Sequence, residues 1–360
     1  ETRRAAGSKN GPMTRYAFGA EFCGADGFLN TPTYGLPPGF MVDALYDSIA
    51  AWQAGTLDVR AFDDHVHAAR AAYAALVGVP VERVALGSTV SSALGLVAAA
   101  VPDGGRVGTI AGDFTSTVFP FAAQAGRGVG VTELSAADLA DSAADFDVVV
   151  ASLAQSATGE LLDLDTLRNR VTGTDTLTVL DLTQALGWKR VELDWVDVTV
   201  TTTYKWLLSP RGTTWMSLSD RAAGLMTQHS ANWFAGEDRW QAIYGLPLRL
   251  AESARRFDVS PAWFSVLGAA LVMPWLAGLE RAEVEAHTVG LADRLRVEFD
   301  LPPTGSAIVS LPTAEDPQEL LAALDRAGIR AAVRAGAVRV GFHLYNDDND
   351  LDRLVGVLRR

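Results

Sequence analysis

One cysteine, Cys23, is present in 360 residues. A lone thiol forms no internal disulfide and builds no thiolate metal cluster. Histidine is also sparse. The five are scattered, and His65 and His67, two apart on an apparent helix, point to different sides of it, so no metal site is expected. Long apolar runs are missing, although 49% of the residues are hydrophobic. The longest, Ala93–Val101, falls well short of the ~20 residues a membrane helix needs. The opening stretch ETRRAAGSKNGPM is polar and lacks the apolar core of a signal peptide. Basic runs are absent as well. With a net charge of −13, this argues against nucleic acid or an anionic membrane as a partner. Together these absences predict a cytoplasmic chain with no membrane contact. No Gly-Lys-Ser/Thr phosphate loop is found, which sets nucleotide-phosphate chemistry aside.

What is present is alternation. Residues 1–14 are expected to be a flexible lead-in, and 15–40 an irregular Gly/Pro-rich segment packing near the active site and the small domain. Two amphipathic helices follow, about Met41–Ala54 and Ala61–Leu76. Short β-branched runs then occur at Arg83–Leu86, Arg106–Ile110, Gly128–Leu134, Phe146–Leu153, Thr176–Leu182, Val196–Thr203 and Thr214–Leu218, most of them separated by Ala-rich helical stretches. Near-continuous apolar strands alternating with helices indicate an α/β fold: a large domain, 41–262, with a mainly parallel seven-stranded sheet between helices. Residues 263–360 read as a linking helix, kinked near Pro274, and a smaller α+β domain in the order β-α-β-β-α.

Four strand ends in the alternating region carry polar groups, where ligands of open α/β sheets sit. At ALGSTVSSALGLV (85–97) a strand runs into Gly87 and small hydroxyl residues, then a helix. That is a phosphate-capable helix start, or an ordinary Ser/Thr cap. At AGDFTSTVFPF (111–121), Phe114 could cover a flat ring or pack in the core. At TVLDLTQALGW (178–188), Asp181 ends an apolar strand with Gln184 three residues on; it suits a protonated pyridine nitrogen, a cap or a structural ion pair. At VDVTVTTTYKWLLSPRGTTWMS (196–217), Lys205 ends a second apolar run, where desolvation favours the neutral, nucleophilic amine. A phosphate cup, an aromatic cover, an acid for a ring nitrogen and an amine for an aldehyde match pyridoxal 5'-phosphate group by group.

The segments D-x-x-Q-x-x-G-W (Asp181, Gln184, Gly187) and T-T-Y-K-W-L-L-S-P-R-G-T (Thr202–Thr213) resemble those of class V aminotransferases, fold-type I pyridoxal-phosphate enzymes that include cysteine desulfurases, isopenicillin-N-epimerase-like proteins and C–S lyases. The resemblance covers about Phe28 to the end. It implies that Lys205 binds the cofactor's aldehyde and shuttles protons, and that Asp181 keeps the ring nitrogen protonated. By the same token, Gln184 contacts the phenolic oxygen, with Gln155 or Ser156 approaching the same atom. Phe114 stacks on the ring, and Val90, Ser91 and Thr202 hold the phosphate. Ser260, in RFDVSPAW, resembles a Thr-Pro motif that reaches the neighbouring subunit's phosphate, which implies a homodimer. Arg339, in VRVGFHLYND beside Tyr345 and Asn346, resembles the arginine that grips the substrate α-carboxylate. Asn30 and Tyr34 are candidates for the substrate side.

The sequence also departs from the family. Desulfurases carry a nucleophilic cysteine on a loop before that arginine, whereas Ala331–Val338 holds only Ala, Gly, Val and Arg. Tyr204 stands where a histidine usually precedes the lysine, and Phe114 where a histidine covers the ring. Acid–base work then falls to Lys205, helped by Tyr204 or Tyr34. The expected activity is β-elimination or C–S lysis of an amino-acid substrate. Epimerisation and transamination share its first step, and a non-catalytic cofactor-binding protein is a distant alternative. Trp233, Phe234, Trp240, Tyr244 and Trp263 could form an aromatic wall near the site or pack an interface.

Overall fold

The computed structural model describes residues 14–313 and 316–359. Residues 1–13 of the expected lead-in lie outside the described residues. A hairpin, β1 (Thr14–Ala17) and β2 (Ala20–Cys23), opens the chain. Helices α1 (Gly39–Gln53) and α2 (Ala61–Val77) follow, and α2 stops at Gly78 in the left-handed region. Then come β3 (Val84–Gly87), α3 (Val90–Ala100), β4 (Arg106–Ile110), α4 (Thr115–Ala122), β5 (Gly130–Leu134), α5 (Ala136–Asp141), β6 (Val148–Ser152), α6 (Leu164–Val171), β7 (Leu177–Asp181), β8 (Val198–Thr202), β9 (Thr214–Leu218) and α7 (Asp220–Leu225).

The strands form the expected seven-stranded sheet, in the order β3-β9-β8-β7-β6-β4-β5. Strand β9 runs antiparallel to both of its neighbours, β3 and β8, and the remaining pairs are parallel. The carboxyl ends of β3, β4, β6, β7 and β8 therefore share one edge. Every residue of β6, β7, β8 and β9 is buried, because helices cover both faces. Alternation still decides the partner: Val149 and Ala151 join the cluster under α2, while Val148 and Val150 join the one under α3.

Helices α8 (Trp263–Ala277) and α9 (Arg281–Glu298) replace the single kinked helix expected over this region. The two axes meet at 93°, and the break falls after Ala277 rather than at Pro274. Gly278 ends α8 by donating to the Pro274 and Trp275 carbonyls, and the extended Glu280 starts α9. Among the described residues no single helix is long and apolar enough to cross a membrane.

The tail follows the expected β-α-β-β-α order: β10 (Ile308–Leu311), α10 (Pro317–Arg326), β11 (Ala332–Arg334), β12 (Ala337–Gly341) and α11 (Asp348–Leu358). Its strands pair antiparallel in the order β10-β12-β11, with their own core from Leu295, Val309, Leu324, Val340 and Leu354. Residues 28–35 link this unit to the large sheet. Leu29 N donates to the Arg330 carbonyl at 2.9 Å, Gly341 N donates to the Leu29 carbonyl at 2.9 Å, and Gly35 N donates to the Tyr204 carbonyl at 2.9 Å.

Gly187 shows how closely the elements approach. It sits at φ +118°, and a Cβ there would run into the Trp206 carbonyl oxygen, the acceptor for His343 Nε2 at 2.9 Å. Gly187→Ala is expected to cost about 2–4 kcal/mol, from backbone strain plus a displaced buried acceptor, read by urea unfolding.

Candidate active site

Lys205 is not on a strand. Strand β8 stops at Thr202, and the lysine lies three residues on, in a tight turn. Ser209 N closes the turn on the Thr203 carbonyl at 3.0 Å, and Leu208 takes φ +52°. Trp206, Leu207 and Leu208 are fully buried and anchor the turn. A Cβ on Gly35 would collide with the Lys205 carbonyl oxygen, so only glycine lets residues 28–35 lie against the turn. The Lys205 side chain is 6% exposed. Burial pushes its ammonium down from 10.5 to about 8; Asp181 opposes that shift, while Arg339, Arg334 and Arg211 add to it. Its Nζ lies 5.3 Å from the Phe114 ring centre and 5.8 Å from that of Tyr204.

Asp181 is the last residue of β7 and is buried. Thr117 Oγ1 donates to its Oδ2 at 3.0 Å, and Thr183 N donates to its Oδ1 at 2.8 Å. Burial raises its pKa above the ordinary carboxylate value despite these donors and the pull of Lys205. Among the described residues it has no ion-pair partner.

A cavity of about 150 Å³ joins these groups. Asp181, Thr183 and Thr202 line one side, and Lys205, Tyr204 and Arg211 another. Ser88, Thr89 and Val90 form a third wall at the start of α3, and Phe114 and Ser116 close it. Thr89 caps α3, accepting from Ser92 N at 3.1 Å. Ser91 is exposed and does not line the cavity; its hydroxyl lies 3.3 Å from Thr89 Oγ1. Ser88 and Thr89 belong to the hydroxyl-rich helix start expected from the sequence, whereas Ser116, Thr183 and Arg211 had no expected place in the cavity. The Thr89 cap was available as a signal; Ser116, Thr183 and Arg211 are set by where other strands end.

Arg339 is only 1% exposed. One of its terminal nitrogens donates to the Ser156 carbonyl at 2.6 Å and to Ser156 Oγ at 3.3 Å, the other to Thr33 Oγ1 at 2.9 Å, and its Nε has no partner among the described residues. Burial and neighbouring Arg334 lower the guanidinium to about 9. Gln184 ties this arginine to the lysine turn: Nε2 donates to Ser156 Oγ and the Pro32 carbonyl, both at 3.0 Å, and Oε1 accepts from Trp206 Nε1 at 2.8 Å. Both amide hydrogens of Gln184 are thus engaged within the protein.

The other expected residues are placed differently. Gln155 clamps its own loop: Oε1 accepts from Ala157 N at 2.6 Å and Thr158 N at 2.8 Å, and Nε2 donates to the Gly112 carbonyl. Asn30 Oδ1 accepts from Thr33 Oγ1 at 2.7 Å and so orients the hydroxyl beside Arg339. Tyr34 is half exposed, packs on Phe28 at 5.1 Å and lines a separate 500 Å³ groove that shares Tyr204 and Arg211 with the lysine cavity. Ser260 is exposed, next to Val259, whose N donates to the Leu86 carbonyl of β3. The tryptophan-rich segment pack elsewhere: Trp263 stacks on Phe62 at 5.6 Å, and Trp240 lies on Trp233 at 5.7 Å beneath Arg60. None of these aromatics lines the lysine cavity. A larger groove of about 610 Å³ between α9 and α11 holds none of these groups.

The depressed amine has a checkable consequence. Its neutral fraction rises as pH passes through about 8, where an ordinary lysine at 10.5 is still charged. In cofactor-free protein, trapping of an added aldehyde on Lys205 by borohydride is expected to rise with a midpoint near pH 8. Peptide mass spectrometry at several pH values reads it, and a midpoint near 10.5 would refute the assignment.

By sequence, no curated protein matches the chain. Solved structures match over most of it. A cysteine desulfurase from Thermococcus onnurineus NA1, in its apo form, covers 92% of this chain and 94% of its own at 18% identity and a TM-score of 0.80. The cystine C–S lyase C-DES, in complex with its product cysteine persulfide, covers 92% and 96% at 16% identity and a TM-score of 0.82. The Escherichia coli cysteine desulfurase CsdA covers 93% and 94% at 16% identity and a TM-score of 0.79. A further C-DES structure carries glycine covalently linked to its pyridoxal-phosphate cofactor. At these identities the likeness speaks for the fold. The aminotransferase class-V family model matches residues 60–354, and the chain belongs to that family of pyridoxal-phosphate enzymes.

Proposed function

We propose that this enzyme removes the α-proton of an amino acid and expels a β-substituent, a C–S lyase type of β-elimination. The observation that carries the reading is the buried Lys205 amine, poised near neutrality beside the Asp181 carboxylate and within the field of the Arg339 guanidinium, neither of which has an ion-pair partner among the described residues. The donor set fits the cofactor. The amine suits its aldehyde, Asp181 the ring N–H, Phe114 the ring face, and Thr89, Val90 and Thr202 at the α3 terminus its phosphate. When bound, the pyridinium ring supplies a sink for the electrons left at the α-carbon.

The chain's own residues do the rest. Asp181 is held by Thr117 and Thr183, and its carboxylate would accept the ring N–H and so keep that nitrogen charged. Arg339 fixes the substrate carboxylate and thereby aims the α-hydrogen. The Lys205 amine takes that proton at Nζ and returns it to the departing sulfur. The Cα–H and Cβ–S bonds break, a thiol leaves, and water then releases ammonia and a 2-oxo acid. Phe114 offers no acid on its face of the ring, which favours elimination over epimerisation, a reaction that needs a second proton donor. Cys23 is exposed and lines neither the lysine cavity nor the groove beside it, so transfer of sulfur to an enzyme cysteine is not proposed. Two copies are proposed to pair, bringing the exposed Ser260 to the neighbouring site; sedimentation reads this directly.

Incubation with S-substituted cysteines in deuterated water tests the reaction. Ammonia and a 2-oxo acid are expected. Solvent deuterium at Cα without product would mean epimerisation, and an accumulated pyridoxamine form would mean transamination. Asp181→Asn is expected to lower kcat about 100-fold, the worth of a charge-assisted contact of about 3 kcal/mol. Arg339→Lys is expected to raise KM about 10-fold or more, with a smaller change in kcat, because a point charge replaces a two-pronged grip.

A further inference from the structure

Three arginines stand around Lys205, and none has an acidic partner among the described residues. Arg339 bonds only to Ser156 and Thr33. Arg211 lies on the cavity wall, 5.3 Å from the Tyr204 ring centre. Arg334 donates to the carbonyl of its own neighbour, Val333, at 2.8 Å. What sets these three apart is that their charges converge on one buried amine.

Strand register explains the position of Arg334. In the β11–β12 pair Ala332 stands opposite Arg339, and Arg334 stands opposite Ala337. Opposed residues of an antiparallel pair share a face, as do residues two apart on one strand. Arg334 and Arg339 therefore leave the same face, as diagonal neighbours. That is the face from which Arg339 reaches Ser156 and Thr33. The turn that carries Arg334 is tight, with Ala335 at φ +47° and Gly336 at φ +76°. Both arginines also depress the Lys205 amine, which places their charge within its field.

Counting charges leaves one cation over. On the proposed function, on which this step rests, the α3 terminus and Thr202 face the cofactor phosphate, and Arg211 lines the same cavity. Asp181 takes the ring nitrogen, and Arg339 takes the substrate carboxylate. Arg334 has nothing to neutralise. We infer that the substrate is an amino acid whose side chain carries a second anionic group, a carboxylate or an oxyacid of sulfur. Arg334, projecting from the β11–β12 turn beside Arg339, holds that group. The specificity of the enzyme would then reside on the turn, beyond the groups shared by every amino acid.

Calorimetric titration of the purified protein with matched pairs, aspartate against asparagine and glutamate against glutamine, tests this. The acidic member is expected to bind about 10- to 100-fold more tightly. Arg334→Gln should shrink that ratio to below about 3-fold, and Arg334→Lys, which keeps the charge, should retain most of it. Arg334 is exposed, so thermal unfolding of both variants should match the parent. Equal binding of neutral and acidic members by the parent, binding of neither, or a preference that survives Arg334→Gln would each overturn the inference. Cofactor loading and the deuterium experiment do not depend on a side-chain acid. They fail only if the proposed function fails, so the two ideas are separable.

Discussion

Burying charge without a counter-ion is the constraint on which this cleft depends. An isolated charge in a protein interior costs several kcal/mol even after relaxation, so it persists only where its surroundings leave no alternative. Here a lysine, an aspartate and an arginine are each buried without an ion-pair partner among the described residues, and each is held by neighbouring polar or packing groups. Trp206 to Leu208 bury the lysine turn, Thr117 and Thr183 grip the carboxylate, and Ser156 and Thr33 grip the guanidinium. All three are pushed toward neutrality as a result. A ligand with a ring cation and a carboxylate relieves that cost on binding, and binding and chemistry draw on the same stored imbalance.

Sheet polarity makes this possible. With only β9 reversed, five strand ends deliver Ser88, Phe114, Ser156, Asp181 and Thr202 to one edge. The small unit contributes Arg339 from a different sheet, and residues 28–35 stitch the two together through Arg330, Gly341 and Tyr204. Gln184 runs through the middle, bonded at once to Ser156, Pro32 and Trp206. A shift of the small unit would therefore be felt at the lysine turn, and buried networks of this kind are more sensitive than their separate bonds suggest.

Much of the fold was legible because its signals are local. Short β-branched, largely apolar runs marked β6 to β9, and the alternation with helices marked a parallel sheet. Lys205 and Asp181 were legible for a related reason: a charged residue closing an apolar run stands out whatever surrounds it. The long helix was misread because Pro274 looked like a break, whereas α8 tolerates it and turns only after Ala277. Gln155 and Ser91 were read as ligand groups from the family resemblance, carried over by motif position. In the structure one clamps its own loop and the other faces solvent, and each orientation depends on a turn whose course local spacing does not encode.

By itself, then, the sequence determined the layer architecture, the amine, its acid and the kind of cofactor they suit, since strand ends and caps are written in neighbouring residues. It did not determine which cations face one another. Ser156 and Arg339 are 183 positions apart, and only packing of the small unit on the large sheet brings them together. The pairing of Ala332 with Arg339, which turns Arg334 toward the same cleft, is likewise a matter of register. Register is settled by the fit of two strands, and a slip of one residue would send that charge to the opposite face.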